Sequence, residues 1–318
     1  MIRDMSTRIA ATTLPEPIAY LNGQWLPISQ AAVSVYDGGF MQGVTVAEQL
    51  RTFGGKLFRL DRHLDRLARS LAIVGVNPGL AREDFERIAT DLAAQNHKLL
   101  DPADDLGLSM FVTPGPYASF ASTARHKGPT VGIHTQPLTF GTWAGKYDTG
   151  DSLIVSDFQQ VPAACWPAEL KCRSRMHYYL ADKQAREREP GSRALLLDEQ
   201  GFVIEASTAN ILVYSRDVGL VSPPRERILP GITVAVISEL ARQIGVSFSH
   251  RDLRTDDVAV ADEVLLCSTS PCVWSVTRFN GRPIGDGKPG PICRRLQAAW
   301  SEMVGLDIVA QARHFAMR

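Results

Sequence analysis

Lys171 is the residue whose setting invites chemistry. It follows the apolar Leu170 and opens the run Cys172-Arg173-Ser174-Arg175-Met176-His177-Tyr178-Tyr179-Leu180, which reads into a helix. Most lysines snorkel their ammonium into water and do nothing more. A lysine drawn out of water is held partly neutral, and a neutral amine can attack a carbonyl or carry a proton. Thirty-four residues on, Glu205 ends the strand-like Phe202-Val203-Ile204-Glu205, where alternation sets it on one face with Val203. The small and hydroxyl-bearing Ala206-Ser207-Thr208-Ala209-Asn210 follows, and such residues let a ligand approach the backbone.

Three other stretches could receive an anion. His63 and Arg66 are three apart in a helical pattern and so share a side of that helix, with a solvated face beside Arg62 and Arg69 as the plainer reading of Arg66. Leu229-Pro230-Gly231-Ile232-Thr233 opens an amphipathic helix carrying Val236, Ile237, Leu240 and Ile244, whose first amides are free to bind phosphate. Glu263-Val264-Leu265-Leu266-Cys267 reads as a strand that delivers Ser268-Thr269-Ser270 at its end. Arg173, Arg175 and His177 are read as mainly solvated, with an anion-recognising set as the alternative; Arg125 and His126 lie in a loop that could close over a substrate.

The elements around these residues follow from pattern. Asn22-Gly23 between short apolar segments signals a hairpin, and Gly54-Gly55 another. Asp61 is a plausible N-cap for a helix over Arg62 to Val74, with Leu64, Leu67, Ala68 and Leu71 inward; a second helix is expected from Arg82 to Leu92. Strands are expected at Leu106 to Thr113, Thr130 to His134 and Ser152 to Ser156, and Asp198-Glu199-Gln200-Gly201 joins a hairpin. Residues 141–150 have little regular pattern and are read as a linker between a small domain at 19–140 and a larger one at 151–318, with 1–18 frayed.

Composition narrows the class. The 318 residues exceed the usual span of a single core, and 34 basic residues balance 34 acidic ones, leaving no overall field to draw nucleic acid or an anionic membrane. Five cysteines, odd in number and without a Cys-x-x-Cys pair, suit a reducing cytoplasm. No His-x-x-x-His or Cys/His cluster supports a metal, and no apolar run is long enough to span a bilayer.

Taken in order, His63-Leu64-Asp65-Arg66, Lys171, Glu205 through Asn210, Leu229 through Thr233 and Ser268-Thr269-Ser270 resemble the fold-type IV (class IV) pyridoxal-phosphate-dependent aminotransferase family, which includes branched-chain and D-amino-acid aminotransferases and aminodeoxychorismate lyase. The resemblance runs from Tyr20 to about Pro291. It implies an α/β (α+β) protein with a smaller N-terminal α+β domain and a larger C-terminal β-rich pseudo-barrel, working as a homodimer on pyridoxal 5′-phosphate. Lys171 would then carry the cofactor and shuttle a proton, and Glu205 would pair with its ring nitrogen. Arg66, the amides of Ile232 and Thr233, and Thr269 would hold its phosphate, with Ser270 at the substrate carboxylate. Ala47 stands where relatives carry a pocket aromatic, and Pro114 where D-amino-acid enzymes carry an arginine; Arg175 and Met176 also depart from the pattern. The activity implied is transfer of an amino group from an amino acid, an apolar or branched-chain L-type first, to a 2-oxo acid. Alternatives are a lyase of aminodeoxychorismate type, an amine or D-amino-acid transaminase, and a cofactor-free binding protein on the same scaffold.

Overall fold

The computed structural model describes residues 16–317 apart from 123 and 125. Two sheets divide them. The first has six strands, all antiparallel, in the spatial order Gln24–Pro27, Ile18–Leu21, Thr130–Pro137, Leu106–Thr113, Val46–Phe53 and Lys56–Leu57. The hairpins fall where the glycine pairs predict: Asn22 and Gly23 both take positive φ, the combination that a right-twisted two-residue turn requires.

One face of this sheet is covered by helices Leu60–Val74 and Arg82–His97. Val46, Leu50, Leu108, Met110 and Ile133 meet Leu64, Leu67, Phe85, Ile88 and Leu92 there. The first helix begins at Leu60 after a left-handed Arg59, so Asp61 lies inside the first turn instead of capping it. The second runs five residues past the expected Leu92, because Asn96 side-chain bonds to the amide and carbonyl of Ile18 tie its last turn to the sheet.

The second sheet has nine strands. Its path runs Phe248–His250, Gly219–Ser222, Asn210–Ser215, Glu263–Ser268, Cys272–Phe279, Asp151–Val155, Arg193–Leu197 and Val203–Ala206, with Arg282–Pro283 on the Cys272–Phe279 strand. The last strand of the path turns through Ala206–Ala209 directly into Asn210–Ser215 in mid-sheet, so the sheet curls on itself. Alternation then divides each central strand between two cores. Ile211, Val213, Val264 and Leu266 point into the curl with Trp274 and Val276, while Leu212, Leu265 and Cys267 pack outward on helices Ile232–Gln243 and Pro291–Val304. A third helix, Met176–Arg188, lies on the Arg193–Leu197 strand.

Residues 141–150, expected as an open linker, are built in. Phe140–Thr142 forms a 3₁₀ turn and Lys146–Thr149 a helical turn, and Phe140, Trp143, Ala144 and Tyr147 enter the core inside the curl. Aromatic burial overrides the weak local pattern there. Arg51 also fastens the two sheets: wholly buried, it donates to the carbonyl of Ser270 at 2.7 Å and to Gln311 at 2.9 Å, and stacks over Phe53.

At the start of the Glu263–Ser268 strand, the opposite end from Ser268 and Thr269, buried Glu263 accepts from the amides of Ile292 and Cys293 at 2.8 and 3.0 Å. It caps the Pro291–Val304 helix from outside, and Gly290 permits the approach, since a Cβ there would lie 2.1 Å from the Glu263 carboxyl carbon. Glu263→Ala should therefore lower stability by about 1–3 kcal/mol through two unmet amides, read as a shift of the urea midpoint.

Candidate functional site

Where the two sheets meet, a cavity is lined by Arg66, Lys171, Glu205, Ile232, Thr233 and Thr269 among others. These come from both sheets and their helices, so the fold brings together residues that sequence order keeps far apart. Ser270 and Ala47 are placed elsewhere: neither lines the cavity. The carbonyl of Ser270 is held by Arg51, and Ala47 is buried, its amide donating to the carbonyl of Lys171 at 3.0 Å.

That last bond is one of a set that fixes the lysine. Cys172 bridges Val46, the amide of Arg173 donates to Thr45 at 2.9 Å, and Ser174 Oγ donates to the carbonyl of Gly43 at 2.7 Å. The amide of Lys171 itself donates to Ser70 Oγ at 3.2 Å. The loop from the second half of the chain is thus zipped onto the start of the Val46–Phe53 strand of the other sheet, and Lys171 is presented to the cavity with little freedom. Burial pushes its amine down to about 7; the positive charges of Arg66, Arg175 and Arg173 act in the same direction, while Glu48 opposes them. Near neutral pH such an amine is available as a base or nucleophile.

Arg66 stands at the other end of the cavity, buried rather than solvated. Its Nε and Nη2 donate to the two carboxylate oxygens of Glu48 at 2.7 and 2.8 Å, and Nη1 donates to the carbonyl of Pro230 at 3.0 Å. Three of its five donors are used, leaving one on each terminal nitrogen. His63 Nδ1 also meets Glu48, at 2.7 Å. Burial would raise the Glu48 carboxyl, but the Arg66 charge and the hydrogen bonds from Arg66 and His63 outweigh it and hold it far below the usual carboxylate range. Burial lowers His63, against the pull of Glu48.

The bond to Pro230 sets Arg66 beside the start of helix Ile232–Gln243. No side chain caps that helix. Gly231 is needed for its lack of a side chain, not for its φ of −62: a Cβ would lie 2.2 Å from Asn210 Oδ1, while Asn210 Nδ2 braces the carbonyl of Leu229 at 3.1 Å. Free first-turn amides, the Thr233 and Thr269 hydroxyls and the spare Arg66 donors form a donor set suited to a phosphate monoester.

Glu205 is buried on the cavity wall. Gln160 Nε2 donates to its Oε1 at 2.8 Å and the Tyr178 phenol donates to the same oxygen, so Oε2 accepts from none of the described residues. Burial raises Glu205, against the hydrogen bonds of Tyr178 and Gln160 and the charges of Lys171 and Arg175. A protonated ring nitrogen at Oε2 would favour its ionised form. The donor set, the lowered lysine and the spare carboxylate oxygen together fit a cofactor bearing a phosphate, a carbonyl and a basic ring nitrogen.

Glu48 was passed over in the sequence, yet its parity with the core residues Val46 and Leu50 marks a carboxylate on an inward face. Gln160, in a loop punctuated by prolines, offered no signal. Of the set after Lys171, Arg173 is exposed, whereas Arg175 and His177 line the cavity. His126 lies in a separate cavity with Tyr36 and Asp37, and Arg125 falls outside the described residues.

Residues 45–279 match the family described as amino-transferase class IV. The chain is 28% identical over 279 residues to a D-alanine aminotransferase of Bacillus licheniformis, covering 87% of this chain and 94% of that one. It is 27% identical over 309 residues to branched-chain-amino-acid aminotransferase-like protein 2 of Arabidopsis thaliana, covering 94% of this chain and 53% of that longer one. In fold it is similar to the branched-chain amino acid aminotransferase of Escherichia coli, with a TM-score of 0.81 at 22% identity over 91% of this chain and 95% of that one. The T.th. branched-chain amino acid aminotransferase with pyridoxamine 5′-phosphate gives 0.79 at 23%, over 92% and 95%.

Removing the Glu48 carboxylate leaves Arg66 buried without its partner, so Glu48→Ala should cost about 3 kcal/mol or more, measured by urea unfolding at neutral pH. Reductive trapping of Lys171 by a small aldehyde in the cofactor-free protein, followed by peptide mapping, should rise with pH around a midpoint of about 7, well below that of ordinary lysines.

Proposed function

The chain belongs to the class IV aminotransferases, enzymes that use pyridoxal 5′-phosphate, and from that premise we propose how its own residues do the work. Lys171 holds the cofactor covalently. Arg66, the amides of Ile232 and Thr233, and the Thr269 hydroxyl hold its phosphate, and Glu205 pairs through Oε2 with its ring nitrogen. When bound, pyridoxal phosphate supplies an aldehyde for the substrate amino group and an electron-accepting ring.

With the cofactor bound and an amino substrate in place of Lys171, the freed Nζ would take the proton from the substrate Cα and deliver it to the cofactor C4′, the atom that Lys171 itself had held. An amine lowered to about 7 suits both directions, because it is neither firmly protonated nor firmly basic. Glu205 keeps the ring nitrogen protonated, and Tyr178 and Gln160 hold the carboxylate in place. The observation that carries the reading is the placement of Lys171 and Glu205 in one cavity with the uncapped start of the Ile232–Gln243 helix.

An amino acid as donor and a 2-oxo acid as acceptor follow as substrates. Val161, Trp166, Leu170 and Leu229 on the cavity wall favour an apolar side chain, in keeping with a branched-chain-like L-amino acid as first choice. A homodimer is part of the same proposal: Phe40 and Met41 are exposed beside the segment that Ser174 contacts, and Met176 and Tyr179 are exposed on the helix after Lys171. A cytoplasmic location is supported by five cysteines that form no disulfide. No helix among the described residues is long and apolar enough to cross a membrane.

The purified holoenzyme should be coloured, and Lys171→Ala should abolish the lysine-dependent visible band and reduce turnover by about 10³-fold or more. Glu205→Gln should retain cofactor and lose about 10²-fold in kcat. A donor screen with both enantiomers, each with and without a 2-oxo acid, should show turnover only when the acceptor is present and a preference for apolar L-amino acids. Product release without an acceptor would instead indicate elimination.

A further inference from the structure

Arg175 is a cation with no bonded acid among the described residues. It ends the zipped loop immediately before helix Met176–Arg188, is partly buried, and lines the cavity with Lys171, Tyr178 and Glu205. Its guanidinium makes no hydrogen bond or ion pair with any described residue; Glu205, whose Oε2 is open on the same cavity, feels its charge without a bond to it. Glu48 is taken by Arg66 and His63, Glu205 Oε1 by Tyr178 and Gln160, and Glu169 faces Arg69 at 3.9 Å. Arg66, the other arginine lining the cavity, is tied to protein acceptors.

A second observation points to the same place. His177, two residues on and also lining the cavity, has its Nε2 shielded from solvent with no hydrogen-bond partner among the described residues. A buried polar atom left unmet costs stability and persists where a ligand completes it. Arg173, exposed and also without an acidic partner, adds positive charge: it and Arg175 each disfavour the protonated form of Lys171, and Arg175 does the same at His177. The loop thus presents an unpaired guanidinium beside an unpartnered imidazole nitrogen to the interior. The phosphate already has its donors at the Pro230 end, and a guanidinium matches a carboxylate in bidentate fashion.

We propose that Arg175, with His177 in the tautomer that carries its proton on Nε2, receives a carboxylate of the amino-acid substrate. This rests on the reading of the cavity as the cofactor and substrate site. The carboxylate could be the α-group or one on the side chain, and the test separates them.

Arg175→Gln and Arg175→Lys holoenzymes are compared with wild type in two ways. Calorimetry measures binding of the unreactive acids propionate and glutarate. Kinetics are taken with 2-aminobutyrate, glutamate and sec-butylamine, the last lacking any carboxylate. For Arg175→Gln the visible band should be unchanged, acid binding about 10–100-fold weaker, and kcat/KM for the amino acids lower by a similar factor, mainly through KM. The amine should change less than about twofold, and Arg175→Lys should restore part of the loss. Loss for 2-aminobutyrate and propionate assigns the α-carboxylate; loss confined to glutamate and glutarate assigns a side-chain carboxylate. Failure of wild type to bind either acid, equal loss for amine and amino acids, loss of the visible band, or no loss at all would overturn the proposal. A wild-type protein that never takes up cofactor would instead overturn the reading of the cavity, and that outcome is visible in its spectrum before any variant is compared.

Discussion

Glu48 anchors the site without touching the cavity. Fully buried on the inward face of a strand, it gathers Arg66 and His63, and Arg66 in turn reaches across to the carbonyl of Pro230. One carboxylate therefore fixes a guanidinium at the junction where the helix of the first sheet meets the helix start of the second. Without it, Arg66 would be a long cation free to snorkel outward, and the anion-binding end of the cavity would lose its orientation.

The rest of the cavity is arranged by charge imbalance. Arg66 is bonded to an acid, Arg175 is not, and Lys171 between such cations in a desolvated place gives up its proton readily. Glu205 has the opposite problem: burial favours its neutral form, and only hydrogen bonds and distant charges resist. Lys171 and Glu205 are each held away from their ordinary state by burial. Pre-set strain of this kind is characteristic of sites that act on ligands.

Much of this was legible from residue order. The Asn22-Gly23 and Gly54-Gly55 turns, the Leu106–Thr113 strand and the helix after Pro230-Gly231 depend on local preferences, and they occur where those preferences place them. Local preference failed where distant packing overruled it. Asn96 extends a helix by bonding Ile18, 78 residues away, and Trp143, Ala144 and Tyr147 enter the core from a stretch of loop-like composition. In the site, Glu48 left a trace in strand parity, whereas Gln160 and the placement of Ser270 left none.

By itself the sequence determined the kinds of groups present and their order: a lysine, a later carboxylate, a helix start without a cap, and an arginine beside a histidine, a series that already resembles one enzyme family. Only the tertiary structure decided which of them meet. It turned Arg66 inward because Glu48 waits on the facing strand, drew Lys171 to the cavity because Thr45, Val46 and Ala47 offer backbone partners to its loop, and set Arg175 on the cavity wall with no acid bonded to it. The reason is physical. Residue type and spacing set local geometry and chemical capacity, but desolvation and pairing depend on groups brought together from far along the chain.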